Sequence, residues 1–309
     1  MSMKSKAGSE YLPWLVAGFA FLTVLLVFGW YAHEGGTTAQ LLASKAKRID
    51  LVERMQLDLA SASEAERSAV LATTDEDSRT FANQSRAAAA KVTAEQLELG
   101  ALLGPEVPRR EKDLLAQFTT AFADLQHVDD EVLALAVKNT NVKAYRLLFG
   151  PAADTLAAMD AALDRVVTKY GDSTIGKQVM DMAFRARLGV LRIQALLAPH
   201  IAEENDAKMD ALEASMTREE KQIRTDLDGL ASLAKLAGDA DVVAAVSGFA
   251  HYEAIKAQIL PLSRENTNVR SLALSLNQQR KAMIHCLDAL TLLRQAMLDE
   301  PIADVRMPR

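Results

Sequence analysis

From Leu12 to Ala32 the chain reads LPWLVAGFAFLTVLLVFGWYA without one charged side chain. About 20 apolar residues at 1.5 Å each cross the roughly 30 Å of hydrocarbon in a bilayer. Tyr11 and Trp14 sit at one end of this run and Trp30 and Tyr31 at the other. An amphipathic ring has one wet and one apolar side, so such residues gather where membrane meets water. A cleaved signal peptide has an apolar stretch of only about 7–15 residues before a small-x-small site. This run is longer and ends Gly-Trp-Tyr-Ala-His-Glu, which predicts a retained transmembrane helix over 12–32 behind a short cytoplasmic tail, 1–11. Lys4 and Lys6 precede the run while Lys45, Lys47 and Arg48 follow it. Loop charge is nearly balanced, and a long downstream domain translocates largely regardless of it. The expectation is a single crossing of a bacterial inner membrane with the C-terminal domain in the periplasm.

Beyond the run, apolar residues return at alternating spacings of three and four, the signature of helices that each turn one stripe toward a neighbour. Phe118, Ala121, Leu125, Val128, Val132, Leu135, Asn139, Val142 and Phe149 form one such stripe. The same residue classes recur 127 positions later as Ala245, Gly248, Tyr252, Ile255, Ile259, Leu262, Asn266, Val269 and Leu276. The next helix keeps that offset: Leu156, Met159, Leu163, Val166 and Tyr170 map onto Met283, Cys286, Leu290, Leu293 and Met297. Within the repeat lies a near-identical segment, Asn139-Thr140-Asn141-Val142-Lys143 and Asn266-Thr267-Asn268-Val269-Arg270. Two helices in register at one offset indicate duplication of a helical unit. Further upstream Ala69-Val70-Leu71-Ala72 resembles Ala195-Leu196-Leu197-Ala198 one residue out of step.

The predicted class is all-α, with two tandem up-down-up-down four-helix bundles at 38–171 and 172–300 and a tail at 301–309. Helices are expected over 38–75, 77–102, 109–149 and 151–170, then 174–198, 201–236, 240–276 and 278–298. Gly150-Pro151 marks the break between third and fourth helices, since Gly closes a helix and Pro opens one. Asn277 takes the Gly150 position in the second copy, and Asn is the next-best residue for that backbone. Short connections favour antiparallel neighbours, so each copy is expected to close on itself.

Composition narrows function by exclusion. A net charge of −6 disfavours nucleic acid as a partner, because phosphate binding needs a basic excess. One cysteine, Cys286, excludes an internal disulfide and a paired-cysteine haem attachment. Its counterpart is Met159, so a core role is expected. No phosphate loop, nucleophile elbow, HExxH or paired-carboxylate motif occurs; no enzyme activity, cofactor or metal is expected.

Candidate site residues are those that put polarity on an apolar stripe. Asn139 and Asn266 either fix helix register, as a buried Asn does in coiled coils, or line a cavity with Asn141, Asn268 and the cations Lys143 and Arg270 for a small polar or anionic ligand. Glu66 interrupts the stripe Val52, Met55, Leu59, Ala62, Ala69. A buried lone carboxylate is costly, so it must reach water, pair with Lys143 or Arg146, or bind a cationic ligand.

Two stretches carry a family resemblance. Glu66-Arg67-Ser68-Ala69-Val70-Leu71-Ala72-Thr73-Thr74-Asp75-Glu76 leads to Asn139–Lys143 and Phe149-Gly150-Pro151-Ala152. Together these resemble the periplasmic four-helix-bundle sensor domain of methyl-accepting chemotaxis receptors and related sensor kinases, closely over 38–170 and more loosely over 174–298. The resemblance implies a bundle that follows a membrane helix, dimerises and passes helix shifts inward, often in response to small organic anions. Residues 33–309 show no second apolar run, HAMP linker or signalling hairpin, so output is expected through the first helix or through a partner. The resemblance therefore implies a membrane-anchored sensory or accessory protein, either a homodimer or a pseudo-dimer within one chain, with a chemoreceptor or sensor kinase as partner. The alternative is a structural spacer or assembly subunit of the envelope with no small-molecule ligand.

Overall fold

The computed structural model describes residues 12–233 and 235–300, with side chains from residue 39 onward. Among these residues the chain is helical and contains no strand. The helices are α1 (Leu12–Leu71), α2 (Asp75–Leu102), α3 (Arg109–Ala136), α4 (Thr140–Leu147), α5 (Ala153–Tyr170), α6 (Gly176–Ala202), α7 (Asp206–Ser232), α8 (Ala240–Glu265), α9 (Thr267–Leu274) and α10 (Arg280–Asp299). A first π turn, Leu148–Ala152, joins α4 to α5, and a second, Ser275–Gln279, joins α9 to α10. The expected membrane span and the two terminal tails lie outside the residues whose side chains are described. Among the described residues no helix is long and apolar enough to cross a membrane.

The chain divides into two compact units, neither continuous in sequence. Among the described residues the first takes 12–59, 90–121 and 285–300, and the second 60–89 and 122–284.

In the first unit α1 buries Leu51, Val52, Met55 and Leu59, a three-and-four spacing that keeps one face inward. Val92 and Leu99 of α2, Leu114, Leu115 and Phe118 of α3, and Cys286, Leu290, Leu293 and Met297 of α10 are buried as well. Polar contacts fix which helices meet. Arg48 on α1 donates to Glu111 Oε2 on α3 at 2.5 Å and to Glu300 Oε2, just past α10, at 2.8 Å. Arg294 on α10 reaches Glu53 on α1 at 2.9 Å. Burial holds the Glu111 carboxyl above its usual range even though Arg48 pulls it down. A buried ion pair of this kind adds little net stability, but breaking it is costly, so it specifies one register.

In the second unit α5 packs against α6 and α8 around Met159, Leu163, Val166, Val190, Ile193, Phe249 and Tyr252. Asp239 caps the N-terminus of α8 by accepting from Asp241 N at 2.9 Å, and it also takes Lys169 Nζ at 2.5 Å and Tyr170 Oη at 2.8 Å from the end of α5. Those donors, Lys169 foremost, hold the Asp239 carboxyl down at about 2. A smaller cluster, Ala69, Val70, Ala82, Val132, Leu133 and Ala136, joins α1, α2 and α3, with Leu274 of α9 against it.

The all-α class therefore stands, while the expected closure of each bundle by its own fourth helix does not. The fourth helices are exchanged: α5 packs with α6 and α8 of the second copy, and α10 bonds to α1 of the first. Helix ends differ too. Asn139 and Asn266, expected inside continuous helices 109–149 and 240–276, sit at φ 51° and 53° and break them. Asn tolerates this left-handed backbone better than other β-carbon residues. The break resets the stripe, and Phe149 and Leu276, placed on it by spacing, are exposed. Gly150-Pro151 and Asn277, expected to separate helices, instead lie in π turns through which helix continues. A π turn absorbs an extra residue and lets the missing Pro151 N–H go unused.

Candidate functional site

The second unit brings the polar residues into three neighbouring arrangements. The first is at the two breaks. A helix start leaves its first N–H groups without intrahelical partners, and here each start is capped by the other. Thr140 N donates to Thr267 Oγ1 at 3.2 Å, and Thr267 N donates to Thr140 Oγ1 at 3.1 Å. Asn141 N donates to Asn268 Oδ1 and Asn268 N to Asn141 Oδ1, both at 3.1 Å. Asn141 Nδ2 donates to Asn266 Oδ1 at 2.7 Å, and Asn268 Nδ2 to Asn139 Oδ1 at 2.9 Å. Every bond has a mate obtained by exchanging the two copies. Outward, Asn139 Nδ2 donates to Thr74 O, Asn266 Nδ2 to Glu203 O, and Asn141 Nδ2 also to Ile201 O. The four Asn side chains thus form a clasp whose bonding is used within the chain.

The second arrangement is an open groove of about 680 Å³, lined by Glu131 and Leu135 of α3, Glu204 of the α6–α7 connection, and Arg270, Asn277 and Gln278. The repeat explains why Arg270 lines it. In the first copy Lys143 is held by Asp75 at 3.0 Å and Arg146 donates to Thr73 O. In the second copy Ala273 stands in the place of Arg146, so the corresponding space stays open, and Arg270 lines it. The hydrogen bond from Lys143 is the main reason the Asp75 carboxyl lies below its ordinary range. Glu131, Glu204 and the amides were not singled out by the pattern, since each is an ordinary surface residue until the groove assembles.

The third lies beneath the second π turn. Glu66 is fully buried, and its Oε2 accepts from Ser275 Oγ at 3.2 Å. Neither expected cation reaches it, because Lys143 goes to Asp75 and Arg146 to the Thr73 carbonyl. Burial raises the Glu66 carboxyl above its usual range, offset in part by Ser275 and the charge of Arg67. Asp129 of α3 is a neighbour that spacing did not identify. Burial, and then the Glu66 charge, push its carboxyl up to about 7, with the Gln279 amide opposing. That amide faces Asp129, while Glu66 Oε1 and Ser63 Oγ are buried and make no hydrogen bond. Cys286 is buried in the first unit, in keeping with its expected core position.

Residues 43–183 match the family described as the four helix bundle sensory module for signal transduction. The match runs from α1 through the start of α6, and so includes Glu66, Asp129 and one half of the Asn clasp. No curated protein matches the chain.

Proposed function

We propose that the protein is a membrane-anchored periplasmic sensory module that detects a small polar, carboxylate-bearing molecule in the groove at Arg270, and that it is not an enzyme. The family match over 43–183 carries the sensory reading, and the charge-free run Leu12–Ala32 supports the anchor. The groove supports the ligand class. A guanidinium offers a planar fork to a carboxylate, Asn277 and Gln278 supply amide donors and acceptors, and Glu131 and Glu204 suit an ammonium group on the same molecule. Leu135 and Ala273 give an apolar floor.

The reciprocal Asn clasp supports a further element of this reading. Two copies in one chain take the places that two subunits take in a symmetric dimer. The signal passes inward through α1, or to a receptor or sensor kinase whose ectodomain the bundle touches.

A thermal-shift screen of the detergent-solubilised chain against small amino acids and dicarboxylates tests the groove. A ligand at one hundred times its dissociation constant adds about 2.7 kcal/mol to stability, and Arg270→Ala removes the shift while leaving the unliganded stability within about 0.5 kcal/mol of the parent. A shift that persists in Arg270→Ala places the ligand elsewhere. If no compound stabilises the chain, the structural-spacer reading takes precedence.

A further inference from the structure

We propose that Glu66 on α1 and Asp129 on α3, enclosed beneath the second π turn with Ser275 and Gln279, form a proton-binding site that makes the packing of that turn sensitive to pH. The inference stands apart from the groove and from any ligand found there.

Glu66 and Asp129 lie close enough for the charge of one to act on the other. Glu66 is fully buried and Asp129 half-buried beside it, and two such neighbouring carboxylates cannot both carry charge cheaply. When a proton sits on one, the new O–H donates to a carboxylate oxygen that otherwise has no partner. Two buried polar atoms without a hydrogen bond mark the place, Glu66 Oε1 and Ser63 Oγ. Native interiors rarely leave such groups unpaired, and Gln279, itself only 1 % exposed, brings its amide to Asp129 from the π turn.

A proton is the occupant that fits. A divalent ion needs more acidic ligands than this pair supplies, and among the described residues no group of three or more His, Cys, Asp or Glu gathers around a point. The surrounding elements bring little compensating charge. On α1 the contributing cation is Arg67, itself exposed; on α3 Asp130 adds a second negative charge against Asp129. From α2 the inward residues are Ser78, Ala82 and Ser85, while Arg79 and Arg86 are exposed. Past the π turn, Arg280 and Lys281 are exposed as well.

The sign of the effect follows from the raised carboxyl. Asp129 holds its proton in the folded chain up to about pH 7, while the unfolded chain releases it near the ordinary value of 3.8. The folded state binds more protons between those values, so stability falls as pH rises from about 4 to about 7 and then levels off. Above about pH 7 Asp129 gives up its proton, and its charge beside the Glu66 carboxyl loosens the contact of Ser275 and Gln279 with α1 and α3.

The test uses the full chain in detergent. Infrared spectra recorded from about pH 5.5 to about pH 8.5 read the carbonyl stretch of a buried protonated carboxyl directly. The expected result is a band present at the acid end, lost near pH 7, and absent at all pH values in Asp129→Asn. The melting point of the parent falls over the same interval, whereas Asp129→Asn and Glu66→Gln each flatten that slope and melt at least about 3 °C higher than the parent near pH 8. The proposal is overturned if the parent shows no band that titrates near neutrality, or if the band survives in both variants.

Discussion

The two π turns occupy equivalent places in the repeat, 127 residues apart, yet their surroundings have opposite chemistry. Around the first, Leu148 and Ala152 are buried against α6 and α8, where Ile193 fills the position equivalent to Glu66. The position equivalent to Asp129 is Lys256, neutralised by Glu220. Around the second, Ser275 and Gln279 replace Leu148 and Ala152 and face two carboxylates with no cation bonded to either. The backbone geometry is shared, so it does not require polarity. The apolar version packs Leu148 and Ala152 among hydrophobic neighbours, and the polar version leaves Glu66 Oε1 and Ser63 Oγ without a hydrogen bond. A duplicated scaffold thus keeps one half as an apolar packing joint and gives the other a polar interior.

The comparison breaks most severely if the apolar half is made to resemble the polar one. Ile193→Glu places a carboxylate into a sealed hydrophobic cluster whose nearby lysine is already committed. The expected cost is about 3–5 kcal/mol, read as a lowered midpoint in urea unfolding. A cost below about 1 kcal/mol means that the two surroundings do not differ as described.

Weakening the symmetric element between the halves has the next largest effect. Asn141→Ala strands Asn268 N–H, the Ile201 carbonyl and Asn266 Oδ1. Buried groups left unpaired cost about 1–3 kcal/mol each, and relaxation recovers part. A loss of about 2–4 kcal/mol is expected, with Asn268→Ala costing a comparable amount because the bonds are reciprocal. The double variant should cost clearly less than the sum, since the two share partners. Strict additivity would remove the clasp from the account.

The smallest change sharpens the cause of the π turns. Pro151 lies in the first, but its counterpart in the second is Gln278, and the turn forms there without proline. Pro151→Ala should therefore keep the π turn and alter stability by less than about 1 kcal/mol. A crystal structure of that variant with an ordinary α-helix over 148–152 would show that proline, rather than packing, sets the geometry.

Much of this was legible before the fold. The heptad stripe Met283, Cys286, Leu290, Leu293 and Met297 is buried as its spacing requires, because helical periodicity is a local property. The repeat was legible for the same reason. On α1 and α6 burial refines it: Leu59, Ala62, Glu66 and Val70 match Ala186, Gly189, Ile193 and Leu197, which keeps the offset at 127 where letter similarity suggested one residue less. Asn139 and Asn266 were visible as polar interruptions, but their meaning was not. A seam Asn and a left-handed break look alike in one dimension, and the φ that separates them depends on a partner 127 residues away. Asp129 was invisible, since beside Asp130 it reads as part of a solvated face.

What the sequence by itself determined is the set of helices, the apolar face of each, and the duplication, because these follow from spacing and side-chain type within a few turns. What only the tertiary structure decided is which helices share a core. The four stripes of one copy are chemically able to close on themselves, and equally able to exchange a fourth helix with the other copy, because apolar burial is non-directional. The reciprocal Asn clasp resolves that ambiguity, since hydrogen bonds have direction and apolar contacts do not. The same exchange carries the second π turn onto α1 and α3, and so assembles Glu66, Asp129, Ser275 and Gln279 from segments far apart in the chain.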